Sequence, residues 1–201
     1  SRLLRTAMEL EILSKMPKIT YLKEPQERIR WYTDTEQRDI IQAFQELDLE
    51  DYGMIVRVLL DTGMRVGELL GLQWENIQDN LIVLDKTKNF SARSIPMTPE
   101  VHSIMEHFSE ISGGPFKWVS YTQVKGRWDR VKKHLGWTDT QECLHACRHT
   151  FITNLVQENT NLFLVQKLAG HKSLAMTKRY THLAPNDLED VIHRLASRRS
   201  I

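Results

Sequence analysis

The chain has 201 residues, 41% of them hydrophobic, and a formal net charge of +1, which suits one domain, or one domain with an arm, around a real core. It contains no apolar run near the roughly 20 residues that cross a bilayer, and its N-terminal residues lack the apolar segment of a signal peptide. Two cysteines, Cys143 and Cys147, are too few for a disulfide framework, so we expect a reduced, intracellular protein with no membrane association.

The N-terminal segment, residues 1–32, begins with apolar residues at helical spacing and is then interrupted by Pro17 and Pro25. We interpret it as a linker, or as the trailing end of an upstream domain. A helix is predicted to begin near Thr33, because Thr33 and Glu36 match a capping box. Residues 33–201 would then form the main domain.

Three helices are predicted at the start of this domain. The first places apolar residues at helical spacing, namely Ile40, Ile41, Phe44 and Leu47. The second, residues 51–62, has a mostly apolar sequence and is closed by Gly63. The third is the short segment 65–72.

The period of the apolar residues changes in the middle of the chain. Residues 81–97 have apolar, β-branched ends and a polar centre, which predicts a β-hairpin with its turn near residues 88–91. A helix is predicted from Pro99, since proline is favoured in the first helical turn. Residues 113–120 are predicted as a third strand.

The C-terminal half is predicted to be helical. A basic amphipathic helix covers residues 123–136, and further helices cover approximately residues 145–158, 161–169, 173–180 and 185–199. The expected fold class is therefore mainly α with a small antiparallel β-sheet (α+β).

The charges are unevenly distributed along the chain, although they nearly cancel in total. Residues 34–51 contain seven acidic residues and one arginine, whereas residues 117–133 contain six basic residues and one aspartate. Residues 171–182 contain two lysines and one arginine with no acid. Basic segments of this kind are typical of proteins that contact nucleic acid.

A cluster of histidines and cysteines first suggests a metal site. On a helix, Cys143 and Cys147 share one face while His145 and His149 share another. Ligands on opposed faces cannot close one tetrahedron around zinc, so no metal is predicted and the cysteines are interpreted as core residues. His145 and Arg148 point the same way, which suits a tetrahedral anion; the alternative is a surface pair without a ligand.

Two further segments carry cations that could meet an anion. Arg65 is predicted at a helix N-terminus, a position that favours phosphate, and Glu68 could hold it in orientation; the alternative is a solvated ion pair. A lysine near the hairpin tip, either Lys88 or its rival Lys86, could reach a neighbouring ligand. The alternative for these lysines is solubility alone.

The last segment of interest places His171 directly after Gly170 and Tyr180 nine residues later. His171 could bind an anion or simply cap a helix. Tyr180 could be a nucleophile or an ordinary core tyrosine.

Taken in order, these motifs resemble the catalytic domain of the tyrosine recombinases, the phage integrase family. The matching stretches are TGMRVGELLGL, KTKNFSARSIPM, LHACRHTF, LAGHKS and TKRYTHL. The resemblance covers roughly residues 33–190 and implies the tyrosine recombinase catalytic-domain fold. It also implies that residues 1–32 are a linker, or the end of an N-terminal core-binding domain that this chain lacks.

The resemblance implies a role for each matching residue. Tyr180 would attack the scissile DNA phosphate and form a 3′-phosphotyrosyl link, while Arg65 and Arg148 would hold the non-bridging oxygens. Glu68 would hold Arg65 in orientation without contacting the phosphate itself. Cys147 and His149 are expected to face the structural side of their helix.

Three residues remain to be assigned by the resemblance. Lys88, favoured over Lys86 by its distance from Ile95, would protonate the leaving 5′ oxygen. His145 would act in proton transfer near Tyr180, and His171 would hydrogen-bond the phosphate. Neither a metal nor ATP nor any other cofactor is implied.

Binding to double-stranded DNA is expected to depend on backbone contacts and hence on salt. The candidate contact residues are Lys125, Arg127, Arg130, Lys132, Lys133, Lys172, Lys178 and Arg179. The resemblance implies tetramers on paired sites, with the tail helix 185–199 packing on its own domain or on a neighbouring copy. An accessory DNA-bending protein and a cytoplasmic, nucleoid-associated location are also expected.

Two alternatives share part of this sequence pattern. A type IB topoisomerase uses the same arginine, lysine, histidine and tyrosine chemistry, and would relax supercoils without a partner site. A DNA-binding module that has lost catalysis would keep the fold but form no covalent adduct.

Overall fold

The computed structural model describes residues 2–18, 29–85, 92–185, 192–193 and 196–197. Most of these residues are helical. The helices are α1 Arg2–Glu9, α2 Asp34–Glu46, α3 Glu50–Thr62, α4 Val66–Leu70, α5 Pro99–His107, α6 Tyr121–His134, α7 Leu144–Gln157, α8 Leu162–Ala169 and α9 Leu174–Lys178. The strands are β1 Ile77–Gln78, β2 Leu81–Leu84 and β3 Arg93–Pro96. Two short 3₁₀ turns cover Trp74–Asn76 and Thr181–Leu183.

The predicted helix ends are confirmed where a side chain or a glycine determines them. The Thr33 hydroxyl accepts a hydrogen bond from the Glu36 backbone N–H at 3.2 Å, and the Glu36 carboxylate accepts one from the Thr33 N–H at 2.8 Å. This reciprocal pair satisfies N–H groups that the first helical turn leaves unpaired. Helix α3 ends at Gly63, which adopts the left-handed conformation with φ 61°.

Helix α3 lies at the centre of the main core, packed between α2 and α7. Its apolar residues Ile55, Val56, Val58 and Leu59 are fully buried. Tyr32, which precedes α2, is also fully buried: its N–H donates to the Thr150 hydroxyl at 2.8 Å and its ring stacks on Trp137. The segment just before α2 is therefore fixed to α7 by a hydrogen bond and to the loop between α6 and α7 by ring packing.

The sheet is antiparallel with strand order β1-β2-β3. Ile82 in β2 pairs with Ile95 in β3, and both side chains are buried. The predicted hairpin is thus confirmed in its strands, while its tip, residues 86–91, lies outside the described residues.

The predicted third strand at residues 113–120 is wrong. The chain forms turns there, and the third strand is Ile77–Gln78. Gly114 has φ 155°, and a Cβ there would lie 2.1 Å from the Leu72 carbonyl oxygen. This close backbone approach, together with the inward burial of Phe116, replaces an extended strand by turns.

The end of the described chain also differs from the prediction. Helix α9 ends at Lys178, so Tyr180 lies beyond the helix and before the turn Thr181–Leu183. The predicted tail helix, residues 185–199, lies mostly outside the described residues. Within the part of the chain that the structure describes, every helix is too short or too polar to cross a bilayer.

Gly63→Ala should destabilise the domain by more than about 1 kcal/mol, because alanine strains a left-handed residue. Its Cβ would also lie 2.3 Å from the Phe151 ring. Urea unfolding followed by circular dichroism measures the change.

Gly126→Ala is the matched control, since a Cβ on Gly126 meets no atom within 4 Å. Alanine inside a helix should leave stability unchanged or raise it by up to about 1 kcal/mol. Equal destabilisation by both variants would show that the conformation of Gly63 is not responsible.

Candidate active site

Arg65 stands at the N-terminus of α4, where Glu68 holds both its backbone and its side chain. The Glu68 carboxylate accepts from the Arg65 N–H at 2.9 Å and from its guanidinium at 3.0 Å. Arg93 donates to the same carboxylate through two hydrogen bonds, of 2.7 and 3.1 Å. Two arginines from different segments, Arg65 and Arg93, are therefore oriented by one carboxylate.

Arg93 was not expected from the sequence to belong to this group. Its side chain is 1% exposed, and it also lies against Gly170, where a Cβ would approach its Nη1 to 2.8 Å. Burial alone would raise the pKa of Glu68, but the hydrogen bonds from Arg93 and from the Arg65 backbone outweigh it and lower this pKa. Glu68 is therefore ionised at neutral pH and compensates two guanidinium groups.

Arg148 is buried between the carboxyl ends of two helices. Its Nη1 donates to the carbonyl of Gly63 after α3 at 2.7 Å, and its Nη2 donates to the carbonyl of Ala169 at the end of α8. Helix carboxyl ends carry partial negative charge, which favours a cation there. Burial, and then the charges of Arg65 and Arg93, lower the pKa of Arg148 to about 10, so it stays protonated at neutral pH.

His171 follows the left-handed cap Gly170 and is almost fully buried. Its Nδ1 is 2.9 Å from the Thr177 hydroxyl, and its backbone N–H donates to Gln166. Its ring lies 6.3 Å from the Tyr180 ring at an interplanar angle of 24°. His171 is therefore held between α8 and α9 and stacks along Tyr180.

Tyr180 contacts His149, and the expectation that His149 faces the structural side of α7 is wrong. The Tyr180 hydroxyl lies 2.5 Å from His149 Nδ1. His145, one turn earlier, contacts the His149 ring edge-on at 4.8 Å between centroids. The shared face of His145 and His149 was visible in their spacing, but the residue that would cover this face was not.

The Tyr180 side chain is buried by its neighbours. Tyr180 is 4% exposed and packs with Ile152, Val156 and Val165 in a second apolar cluster. Burial raises the pKa of Tyr180, and the charges of Arg148 and Arg179 partly offset this effect. The phenol is therefore protonated at neutral pH in this structure.

The three imidazoles around the phenol are kept neutral. Burial is the main cause in each case, and neighbouring arginines add to it, so the pKa of His149 and of His171 falls to about 4. His145 is more exposed than the other two, and its pKa is lowered by partial desolvation and then by the charges of Arg148 and Arg65. At neutral pH the site thus combines permanent guanidinium cations with uncharged histidines.

The structure brings together five of the six residues that the sequence proposed for catalysis. These residues influence one another electrostatically, because the charge of Arg148 acts on the pKa of His145, His171 and Tyr180. The sixth, Lys88, and its rival Lys86 lie outside the described residues. Cys147 is fully buried, as expected for a core residue, whereas Cys143 is exposed, so its interpretation as a core residue is wrong.

The predicted basic surface divides into three groups. Lys125 and Lys132 line a cleft with Arg65 and His145, and both pair with Asp129. Arg127 packs instead over the Tyr52 ring. The remaining candidates are exposed, namely Arg130, Lys133, Lys172, Lys178 and Arg179.

The model of the phage integrase family matches residues 30–187, which is most of the chain and includes every described residue of this site. The chain belongs to the phage integrase family. Two curated relatives carry recombinase names. Tyrosine recombinase XerA of Saccharolobus solfataricus is 33% identical over 141 residues, covering 68% of this chain and 47% of the relative. The shufflon-specific DNA recombinase of Escherichia coli is 30% identical over 160 residues, covering 78% and 41%.

Solved structures of two integrases have the same fold as this integrase-family chain. The catalytic domain of bacteriophage HP1 integrase superposes with a TM-score of 0.65 at 26% identity, covering 83% of this chain and 95% of that one. The Tn1549 transposon integrase, in complex with a circular intermediate DNA, gives 0.78 at 21% identity, covering 95% and 75%. The predicted fold class, a mainly helical tyrosine recombinase catalytic domain, is confirmed. The chain spans about half the length of the curated relatives it matches.

Acidification should destabilise this integrase-family domain through His149 and His171. A histidine in an unfolded chain titrates near 6.5, whereas the folded pKa of both is about 4. The unfolded state therefore binds protons first, so stability is complete above about pH 6.5 and is lost as the pH falls towards 4. The slope is at most about 1.4 kcal/mol per pH unit for each histidine.

Urea unfolding at about pH 7.5 and about pH 5 measures this loss. His149→Asn should reduce it, because asparagine does not titrate. An equal loss in the variant and the parent would exclude His149 as a source.

Proposed function

We propose that this chain is the catalytic part of a site-specific DNA recombinase, which cuts and rejoins DNA through a 3′-phosphotyrosyl intermediate. The observation that carries the proposal is a buried tyrosine whose hydroxyl contacts His149 and whose pKa is influenced by Arg148, with Arg65 close enough to act on Arg148 and His171. The names of the relatives, recombinases and integrases, support it. Neither a metal nor ATP takes part in the proposed reaction.

Arg65 and Arg148 would hold the non-bridging oxygens of the scissile phosphate. Charge builds up on these oxygens during phosphoryl transfer, so fixed cations stabilise the transition state without moving. A guanidinium has five N–H donors in a planar fork, and the two helix ends use one donor from each Nη of Arg148. Glu68 fixes the orientation of Arg65 and thereby lowers the entropy lost in binding.

His171 would donate a hydrogen bond to the same phosphate through its Nε2. This role requires the Thr177 hydroxyl, 2.9 Å from Nδ1, to donate to that nitrogen, so that Nε2 carries the single proton of the neutral imidazole. His145 is proposed to assist proton transfer near Tyr180 from the edge of the cluster. Lys88, at the hairpin, would protonate the leaving 5′ oxygen.

The proposed reaction needs no external energy source. The Tyr180 oxygen forms a bond to phosphorus as the bond between phosphorus and the 5′ oxygen breaks. A 5′ hydroxyl from the same or another duplex later attacks the phosphotyrosine and releases the phenol. One phosphate ester replaces another at each step, so the energy of the original bond is retained.

DNA would lie across the face that contains Arg65 and Tyr180. Lys125 and Lys132 line the cleft beside Arg65, and Lys178 and Arg179 are exposed next to Tyr180. Lysines and arginines at these positions contact phosphates rather than bases, so the affinity should fall steeply with salt. Relatives solved with DNA, such as the Tn1549 integrase, support double-stranded DNA as the partner.

Assembly is also proposed from the sequence and the family. The tail, residues 185–199, carries apolar residues at helical spacing and would pack on a neighbouring copy in a tetramer on paired sites. Residues 1–32 would be a linker or the end of a core-binding domain. An accessory DNA-bending protein and a cytoplasmic, nucleoid-associated location complete the proposal.

Tyr180→Phe should abolish the covalent adduct with a nicked suicide substrate that carries the element's own attachment site. Phenylalanine keeps the apolar packing but lacks the attacking oxygen. A denaturing gel separates the protein–DNA adduct from free DNA. The matched control is Tyr52→Phe, which removes a hydroxyl far from the cluster and should leave the adduct yield unchanged.

The outcomes separate the competing functions. An adduct that survives Tyr180→Phe would place the nucleophile elsewhere. No adduct from the parent chain, despite tight binding of the same DNA, would favour a DNA-binding module without catalysis. Relaxation of supercoiled DNA that lacks a paired site would favour a type IB topoisomerase.

Lys88→Ala should slow cleavage by ~10²-fold or more, as expected for loss of a general acid. A substrate with sulfur in place of the leaving 5′ oxygen should restore the rate, because a thiolate leaves without a proton. Lys86→Ala is the matched control and should cleave both substrates at the parent rate. The reverse pattern would identify Lys86 as the acid.

A further inference from the structure

We propose that His149 receives the phenolic proton of Tyr180 when this oxygen attacks the phosphate. The inference rests on the proposed function of Tyr180 as nucleophile. It assigns to His149 the step for which the sequence favoured His145.

Tyr180 and His149 are in direct contact. His149 Nδ1 and the Tyr180 oxygen are 2.5 Å apart, within hydrogen-bond reach. The His149 ring lies between the rings of His145 and Tyr180. Its centroid is 4.8 Å from that of His145, which it meets edge-on, and 5.9 Å from that of Tyr180. Of these two imidazoles, His149 is the one that the phenol reaches directly.

The surroundings of Tyr180 also favour His149. The residue as a whole is 4% exposed, so little of it is in contact with bulk water. His171 stacks along the phenol ring and directs its Nδ1 to Thr177. Among the described neighbours, His149 thus presents the acceptor nitrogen.

The protonation state of His149 also suits it to accept a proton. Burial, followed by the charges of His145, Arg148, Arg179 and His171, keeps this imidazole neutral at neutral pH. A neutral imidazole carries one proton. Since Nδ1 faces a protonated phenol, the proton of His149 belongs on Nε2, and Nδ1 is free to accept.

During the attack, the phenolic O–H bond of Tyr180 breaks and an N–H bond forms on His149 Nδ1. At the same time the Tyr180 oxygen bonds to phosphorus, and the 5′ oxygen leaves with a proton from Lys88. His149 is then an imidazolium beside the phosphotyrosine. In the rejoining step the 5′ hydroxyl returns its proton to Lys88, and His149 returns its own to the released phenolate.

The first test needs no DNA. Imidazole ¹⁵N spectra of the parent chain should show His149 with an unprotonated Nδ1, and Tyr180→Phe should shift that signal. A protonated Nδ1, or a signal that ignores Tyr180→Phe, would overturn the proposal. Because no cleavage is involved, this result does not depend on whether Tyr180 is the nucleophile.

The second test measures single-turnover cleavage and DNA affinity separately. His149→Ala should lower the cleavage rate by ~10²-fold or more with little change in affinity, and added imidazole should restore part of the rate. His149→Asn keeps an acceptor near the Nδ1 position but takes up no proton, so it should be equally slow. His145→Ala, the matched variant, should be slowed less and should not respond to imidazole.

Each outcome bears on one claim. Parent-like cleavage by His149→Asn would mean that His149 only orients the phenol, and faster cleavage by His149→Ala would mean that it restrains Tyr180. Imidazole rescue confined to His145→Ala would transfer the role to His145. An adduct that survives Tyr180→Phe would instead refute the proposed function itself.

Discussion

The arrangement of this site depends on a buried guanidinium held between two helix carboxyl ends. Arg148 donates to the carbonyls of Gly63 and Ala169, which end segments far apart in the sequence. A buried cation without such partners would be strongly destabilising. Because α3 and α8 must both present carbonyls to α7, their ends are fixed, and with them the starting points of Arg65 and His171. Gly63 and Gly170 serve this arrangement, since both chain reversals need the left-handed conformation.

A second charge arrangement completes the first. Glu68 is the carboxylate shared by Arg65 and Arg93, and Arg93 also lies against Gly170. This links the start of α4, strand β3 and the end of α8 through one ion cluster. The excess of positive charge that remains lowers the histidine pKa values. A site rich in fixed cations and neutral imidazoles is suited to bind an anion and to move protons.

The fold alone does not establish the chemistry, because one fold can carry different functions. The proposal of DNA recombination is supported by the family match over residues 30–187 together with the cluster around Tyr180. The buried phenol adds a feature of its own: the proposed nucleophile, Tyr180, is covered and contacts His149 in this structure. In the proposed reaction, DNA would have to uncover this oxygen or reach it from the side of Arg148.

The sequence by itself determined the local structure and the chemical groups of the site. The capping box of Thr33 and Glu36, the glycine at the end of α3 and the apolar, β-branched ends of the β2–β3 hairpin are local signals, readable within a few residues. The motifs around Arg65, Arg148 and Tyr180 likewise stand within short stretches. These features could be predicted because their physical cause lies in neighbouring residues.

Only the tertiary structure decided which segments meet. The third strand is Ile77–Gln78 rather than residues 113–120, because strand pairing depends on a partner and on the space beside Leu72. His149 faces Tyr180, and Arg93 reaches Glu68 across the domain. Helical periodicity shows which residues share a face, but the neighbour of that face comes from a distant part of the chain and is selected by packing of the whole core.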